Sequence, residues 1–171
     1  MKRFLFIFVL FIYGCGYTTR PGVAPDFKTI YIEPFTNSID ITSERTNIRH
    51  HRTSIAGIEV LVTKNIEDVL KRDGRLRLVK KDQADVIMTG SVLSFNREAL
   101  RYNPDGTIRE SRIHITTQVA IRTKLGETLW TENISNRLGS TFAGATTDIS
   151  ALNSAIQDLS IKIRNRLLED W

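Results

Sequence analysis

Four arginines bracket one turn. Arg97 and Arg101 precede Asn103-Pro104-Asp105-Gly106, and Arg109 and Arg112 follow it. Guanidinium groups stay charged at any physiological pH and bind phosphate through two parallel hydrogen bonds. Leu100 and Tyr102 interleave with them. Charge and apolar surface on one hairpin end suit a phosphorylated, acyl-bearing ligand such as lipid A. The alternative is a solvated hairpin end on which Glu98 and Glu110 partly neutralise the arginines.

The other reactive group is a single sulfur, Cys15. One cysteine excludes an internal disulfide and a cysteine-rich zinc site. Met1-Lys2-Arg3 and an apolar run from Phe4 to Tyr13 precede it. A charged start followed by a short greasy run is the pattern of a secretory signal. About ten apolar residues are too few for a spanning helix, which needs about 20. Ile12-Tyr13-Gly14-Cys15 resembles the lipobox of bacterial lipoproteins, in which a small residue precedes the cysteine that is acylated and becomes the mature N-terminus. This predicts a signal peptide over 1–14, then a lipidated N-terminus and tether over 15–26. Diacylglycerol and an N-acyl chain such as palmitate would sit on Cys15, since two or more chains anchor stably. Gly16 follows the cysteine where aspartate would resemble an inner-membrane retention signal, which favours the outer membrane. Gly16 to Asp26 contains two prolines and two glycines and no apolar period. Extended, it reaches at most roughly 40 Å.

Histidine offers little. His50 and His51 are adjacent, without the i, i+4 spacing of a helical metal pair, and His114 lies in a strand pattern with no acid beside it. No phosphate loop, dinucleotide fingerprint or nucleophile elbow appears. The expectation is no catalytic residue, no metal and no cofactor beyond the acyl chains. A periplasmic hydrolase using His50 or His51 is the reading this disfavours. The chain of 171 residues carries 24 Lys+Arg against 19 Asp+Glu, a formal charge of +5. Losing Lys2 and Arg3 with the signal leaves 22 − 19 = +3. An extracytoplasmic address makes nucleic acid a poor partner for these cations. Hydrophobic residues at 41% and charged residues at 25% exclude collagen-like and disordered classes.

The remaining chain, 27–171, must position the arginines. Lys28 to Phe35 reads as a strand, with Ile30 and Ile32 on one face and Tyr31, Glu33 and Phe35 on the other. Asn37 to Arg52 is polar and reads as a loop. Ser54 to Asp73 repeats Ile55, Ile58, Val62, Ile66, Val69 and Leu70 at helical steps, with Thr53 or Ser54 as cap and Gly74 as stop. Leu76 to Val79 alternates briefly. Ala84 to Phe95 carries apolar residues on both faces, as a buried central strand does. Arg112 to Thr123 alternates cleanly, Lys124 to Glu127 is a hairpin turn, and Thr128 to Ser135 returns. Leu138 to Thr147 is loop-like. Asp148 caps a last helix whose stripe is Ile149, Leu152, Ile156, Leu159, Ile163 and Leu167. The order β-α-β-β-β-α predicts an α/β (α+β) two-layer sandwich, with two helices packed on one mixed four-stranded sheet. One parallel pair comes from the β-α-β start, and the hairpins are antiparallel.

Several segments together resemble one family. They are Cys15-Gly16-Tyr17, the run Lys28 to Asn37 (KTIYIEPFTN), Ala84-Asp85 with Thr89-Gly90, Leu129-Trp130 in the returning strand, and the closing Leu168-Glu169-Asp170-Trp171. In this order and spacing they resemble the LptE family of lipopolysaccharide-assembly lipoproteins. The resemblance implies two helices on a four-stranded sheet and a lipid-anchored protein on the periplasmic face of the outer membrane. It further implies a plug inside an LptD-like β-barrel that supports barrel assembly and engages lipopolysaccharide. The family's basic residue at the hairpin tip matches Arg101. A second family cation, just before the last helix, has no counterpart between Leu138 and Ile161, which contain neither Lys nor Arg. Accessory envelope lipoproteins resembling the TolB N-terminal or CsgG-like group also begin with a strand ending in Pro-Phe. They too enter the next strand through a sequence like Gly74-Arg75-Leu76. Such a protein would bind a periplasmic protein instead of lipopolysaccharide.

Overall fold

The structure is a computed structural model that describes residues 27–39, 50–51, 56–106, 108–136, 141–143 and 148–168. The signal, Cys15, the tether, the expected caps Thr53 and Ser54, and the closing residues 169–171 lie outside the described residues.

Its frame is one long hairpin. β5 (Val86–Tyr102) and β6 (Ile108–Thr123) pair antiparallel from Val86↔Thr123 to Tyr102↔Ile108. The turn between them is the expected one: Asn103 O accepts from Gly106 N at 3.0 Å, and Gly106 has φ 82°, a conformation that favours glycine. Shorter strands line both outer sides of this hairpin. On the β5 side lie β1 (Thr29–Ile32) and β2 (Thr36–Asn37), both parallel to it, and β3 (His50–His51), antiparallel. β4 (Arg77–Leu78) pairs parallel outside β1. On the β6 side lie β7 (Thr128–Ser135) and β8 (Thr141–Ala143), both antiparallel. The sheet of described residues therefore holds eight strand segments where four were expected. The additional segments are two or three residues long, too short to show a sequence period. They form because buried backbone donors and acceptors along the hairpin need partners.

α1 (Ile58–Asp73) and α2 (Asp148–Leu168) cover one face. α1 buries Ile58, Val62, Ile66, Val69 and Leu70, as its period predicted; Ile55, the first residue of the expected stripe, lies outside the described residues. It starts at Ile58 rather than Ser54, and ends at Gly74, whose N–H reaches Leu70 O at 3.1 Å with φ 74°. In α2 the stripe differs. Ile149 is 75% exposed, and the small residues Ala151 and Ala155 face inward with Ile156, Leu159, Ile163 and Leu167. Counting large apolar residues misplaces the face where small ones let two helices approach closely. Asp73 joins the helices, bonded to Arg164 of α2 and to Arg75, both at 2.8 Å. Their C-terminal ends are thus side by side.

Two further expectations are corrected by local irregularities. Phe35 is buried with Ile30 and Ile32, not opposite them. β1 stops at Ile32, and Glu33-Pro34 breaks the alternation before Phe35 turns inward. Thr63 of α1 fixes that turn by accepting the Phe35 N–H at 3.0 Å. Gly90 makes room for the ring: a Cβ there would lie 2.4 Å from Phe35 Cε2. The register shift between Val92 and Ser94 is a β-bulge. Before it, Val86, Met88 and Val92 point to the core; after it, Phe95 does. Only one face of β5 packs on helices, so it is not the two-sided buried strand its composition suggested.

Asn136 closes the ladder where β7 ends. Its Oδ1 accepts Ile115 N–H at 2.8 Å, and its Nδ2 donates to Ile113 O at 2.9 Å. A buried side chain here replaces two backbone partners. Asn136→Ala leaves both groups of β6 unpaired, and an unsatisfied buried group costs about 1–3 kcal/mol. Chemical denaturation is expected to show a loss of that size, with Asn133→Ala, an exposed neighbour, changing little.

Candidate functional site

The hairpin has two ends, a distal tip and a base at which the described chain begins. At the tip the four arginines do not converge. Residues directly opposite in an antiparallel pair share a face. Arg97 stands across from Ile113, on the core side of the sheet, whereas Arg112 stands across from Glu98 on the open side. Arg101 pairs with Glu110 in register, and its Nε lies 3.3 Å from that carboxylate. Arg109 is exposed within the irregular pairing beside the turn. Tyr102 is 63% exposed. The tip therefore presents Arg101, Arg109 and Tyr102 outward, with Arg112 half-buried behind them. Arg112 Nε is buried and, among the described residues, without a hydrogen-bond partner. Plain alternation separates Arg97 from Arg112, and the register shift at Ala99/Arg101 moves Arg101 to the open side. Nothing in the sequence marks that shift.

His114 lies on the open face across from Asn96, half-buried, and its Nδ1 has no partner among the described residues. Beside it on that face lie hydroxyls and amides. Thr116 and Ser135 bond across β6 and β7 at 3.0 Å, and Gln118 reaches Asn133 at 3.5 Å. Among the described residues, no three His, Cys, Asp or Glu side chains group as a metal site would require. No described helix is long and apolar enough to cross a membrane.

The cations of α2 serve packing. Lys162 Nζ donates to Ser135 O at 2.7 Å. Arg166 bonds Glu132 at 2.6 Å and lies 5.2 Å over the Trp130 ring, a cation–π contact. Trp130 of the Leu129-Trp130 pair is thus a core residue with a charged lid.

At the base, Asp85 ties three elements together. Its Oδ2 accepts Lys28 N–H at 3.0 Å, Thr29 N–H at 2.9 Å and the Thr29 hydroxyl at 2.7 Å. Asp85 O accepts Lys124 N–H at 3.1 Å, which brings in the β6–β7 turn. Leu125, in that turn, is 96% exposed. The sequence contained the signal for this end, a large aliphatic residue among the turn residues Lys124, Gly126 and Glu127.

Residues 27–170 match the profile of a family described as LptE, lipopolysaccharide-assembly. No curated protein matches the chain. Among solved structures, a hypothetical protein from Chlamydia trachomatis is similar in fold, with a TM-score of 0.53 and 10% identity. The likeness covers 82% of this chain and 95% of that one. A protein from Xanthomonas campestris also has a TM-score of 0.53, at 7% identity over 83% of this chain and 84% of its own. These likenesses are of fold.

The Thr29 hydroxyl first, then the Lys28 and Thr29 amides, hold the Asp85 carboxyl below the usual carboxylate range. A depressed folded-state value adds stability above the unfolded pKa of about 3.9. That contribution is lost as pH falls through the lower folded value. Asp85→Asn is expected to melt lower than the parent at pH 7. The gap between the two should narrow as the pH is taken below about 3.9, measured by thermal unfolding across the acid range.

Proposed function

Because this chain belongs to the LptE family of lipopolysaccharide-assembly proteins, we propose that it is a non-catalytic outer-membrane lipoprotein, acylated on Cys15, that plugs an LptD-like β-barrel. In that seat it assists barrel assembly and takes part in moving lipopolysaccharide to the outer leaflet. The observation that carries this reading is the family match over residues 27–170, nearly the whole mature chain.

The geometry supports it in two ways. A body held in a water-filled lumen needs polar complementarity more than a large apolar patch. The open sheet face supplies that through Thr116, Gln118, Asn133 and Ser135, whose side chains already bond to one another across the strands. The tip supplies the second support. Arg101 is exposed, and Glu110, its carboxylate partner among the described residues, leaves guanidinium donors for a phosphate. Tyr102 beside it offers a ring to the acyl-bearing head of the same ligand.

Purification of the full chain from membranes in mild detergent is the direct test. A large outer-membrane barrel is expected to co-purify, and recovery of the chain without one would overturn the reading. Arg101→Asp should keep the barrel and weaken lipopolysaccharide binding about tenfold or more, as loss of a charged hydrogen bond of about 1.5–3 kcal/mol implies. Equal binding by the two forms at low salt would move the ligand site away from the tip.

A further inference from the structure

We infer that the base of the domain is a membrane-contact surface, in which Leu125 enters the acyl boundary of the bilayer and the cations around it meet anionic lipid phosphates. The inference rests on acylation of Cys15, and extends that reading from the hook to the folded body.

The first argument is where the chain enters. Phe27, the first described residue, is packed against the core, and the chain toward Cys15 joins the domain at this point. Lys28 and Thr29, the next residues, are clamped by Asp85. Asp85 O in turn holds Lys124 N–H, one residue from Leu125. Three hydrogen bonds thus place Leu125 at the end of the domain from which the tether departs. A tether that reaches at most roughly 40 Å keeps this end within that distance of the bilayer that holds the acyl chains.

The second argument is chemical. A fully exposed leucine at the apex of a turn has no partner in the fold. Lys28, Arg77, Arg122 and Lys124 are exposed around this end, and among the described residues none of them is paired with a carboxylate. Arg77 stands beside Thr29 in register, and Arg122 opposite Ile87 near the start of β5. Lys124 Nζ is held by a carbonyl, Asp82 O, at 2.9 Å, which satisfies one donor and leaves its charge intact. Among the described residues the carboxylates at this end are Asp82, Glu127, Asp85 and Asp73; Asp85 is occupied by its three donors and also feels the charge of Lys124, and Asp73 is held by Arg75 and Arg164. Cations flanking one protruding aliphatic side chain match the headgroup and acyl layers of an anionic interface. The aliphatic stems of Lys124 and Arg122 would lie along the apolar layer while their charges stay with the phosphates. Inside a barrel the wall would stand between this end and the lipid, so the contact is one the anchored domain makes outside a barrel.

The test uses the full, acylated chain with Leu125→Cys. Acylation blocks Cys15, so the new thiol alone takes an environment-sensitive dye. The protein is reconstituted in phosphatidylcholine vesicles with and without phosphatidylglycerol. With phosphatidylglycerol, dye emission is expected to shift to shorter wavelength and to be quenched by a shallow lipid-borne quencher. Arg122→Glu with Lys124→Glu should abolish both signals while acylation and vesicle flotation persist. Water-like emission from an acylated, vesicle-bound protein would overturn the inference and leave the anchoring reading intact. Shielding that appears only when a barrel partner is added would also overturn it, in favour of a protein contact. Failure of Cys15 to take up acyl label would overturn the anchoring reading, and this inference with it.

Discussion

The ladder between β5 and β6 exposes, along its two outer sides, rows of backbone donors and acceptors that burial would leave unpaired. Satisfying them organises the remainder of the chain. β1, β2 and β3 meet successive stretches of β5, and β7, Asn136 and β8 do the same for β6. Most of these partners are too short to stand as strands by themselves. They hold because the hairpin is already in place and each adds only a few fixed residues to it. The helices follow the same frame. They cover the face on which Ile113, Ile115, Val119 and Ile121 alternate, and the opposite face keeps its hydroxyls and amides.

This frame separates two chemistries by the length of a strand. At the tip, Arg101 and Tyr102 face solvent beside a turn fixed by Gly106. At the base, Asp85 gathers the domain's first residues and the β6–β7 turn into one hydrogen-bonded corner. The Ala84-Asp85 and Thr89-Gly90 pairs, which carry part of the family resemblance, serve this frame directly. Asp85 fastens the corner, and Gly90 leaves the space filled by the Phe35 ring.

Much of the fold was legible because the periods were long. The α1 stripe, the alternation from Ile113 to Ile121 and both turns appear in the sequence as they do in space. What failed was what one or two residues decide. The bulge at Val92/Ser94 turns Phe95 inward, Pro34 ends an alternation before Phe35, and two alanines set the inner face of α2. The candidate site was legible as a composition and not as an arrangement. Four arginines around a turn are visible in the sequence, but which of them share a face depends on the pairing register of two strands and, for Arg101, on a shift that carries no residue signature. Asn136 was invisible for a related reason, since an asparagine after a strand usually marks a turn and here acts as a strand's substitute.

The bulge at Val92/Ser94 also sets a rule of parity. Below it even-numbered residues of β5 face the helices; above it Phe95 and Arg97 do, until the shift at Ala99/Arg101 puts Arg101 on the open side with Glu110. The distal arm therefore runs in the opposite phase to the proximal arm of the same strand. A single inserted or deleted residue beyond the bulge would swap Phe95 or Arg97 with a neighbour meant for the other side. Between the bulge and Ala99, length changes are tolerable only in pairs. Beyond Ala99 two further shifts reset the phase, so the tip can drift while Phe95 and Arg97 keep their side of the sheet.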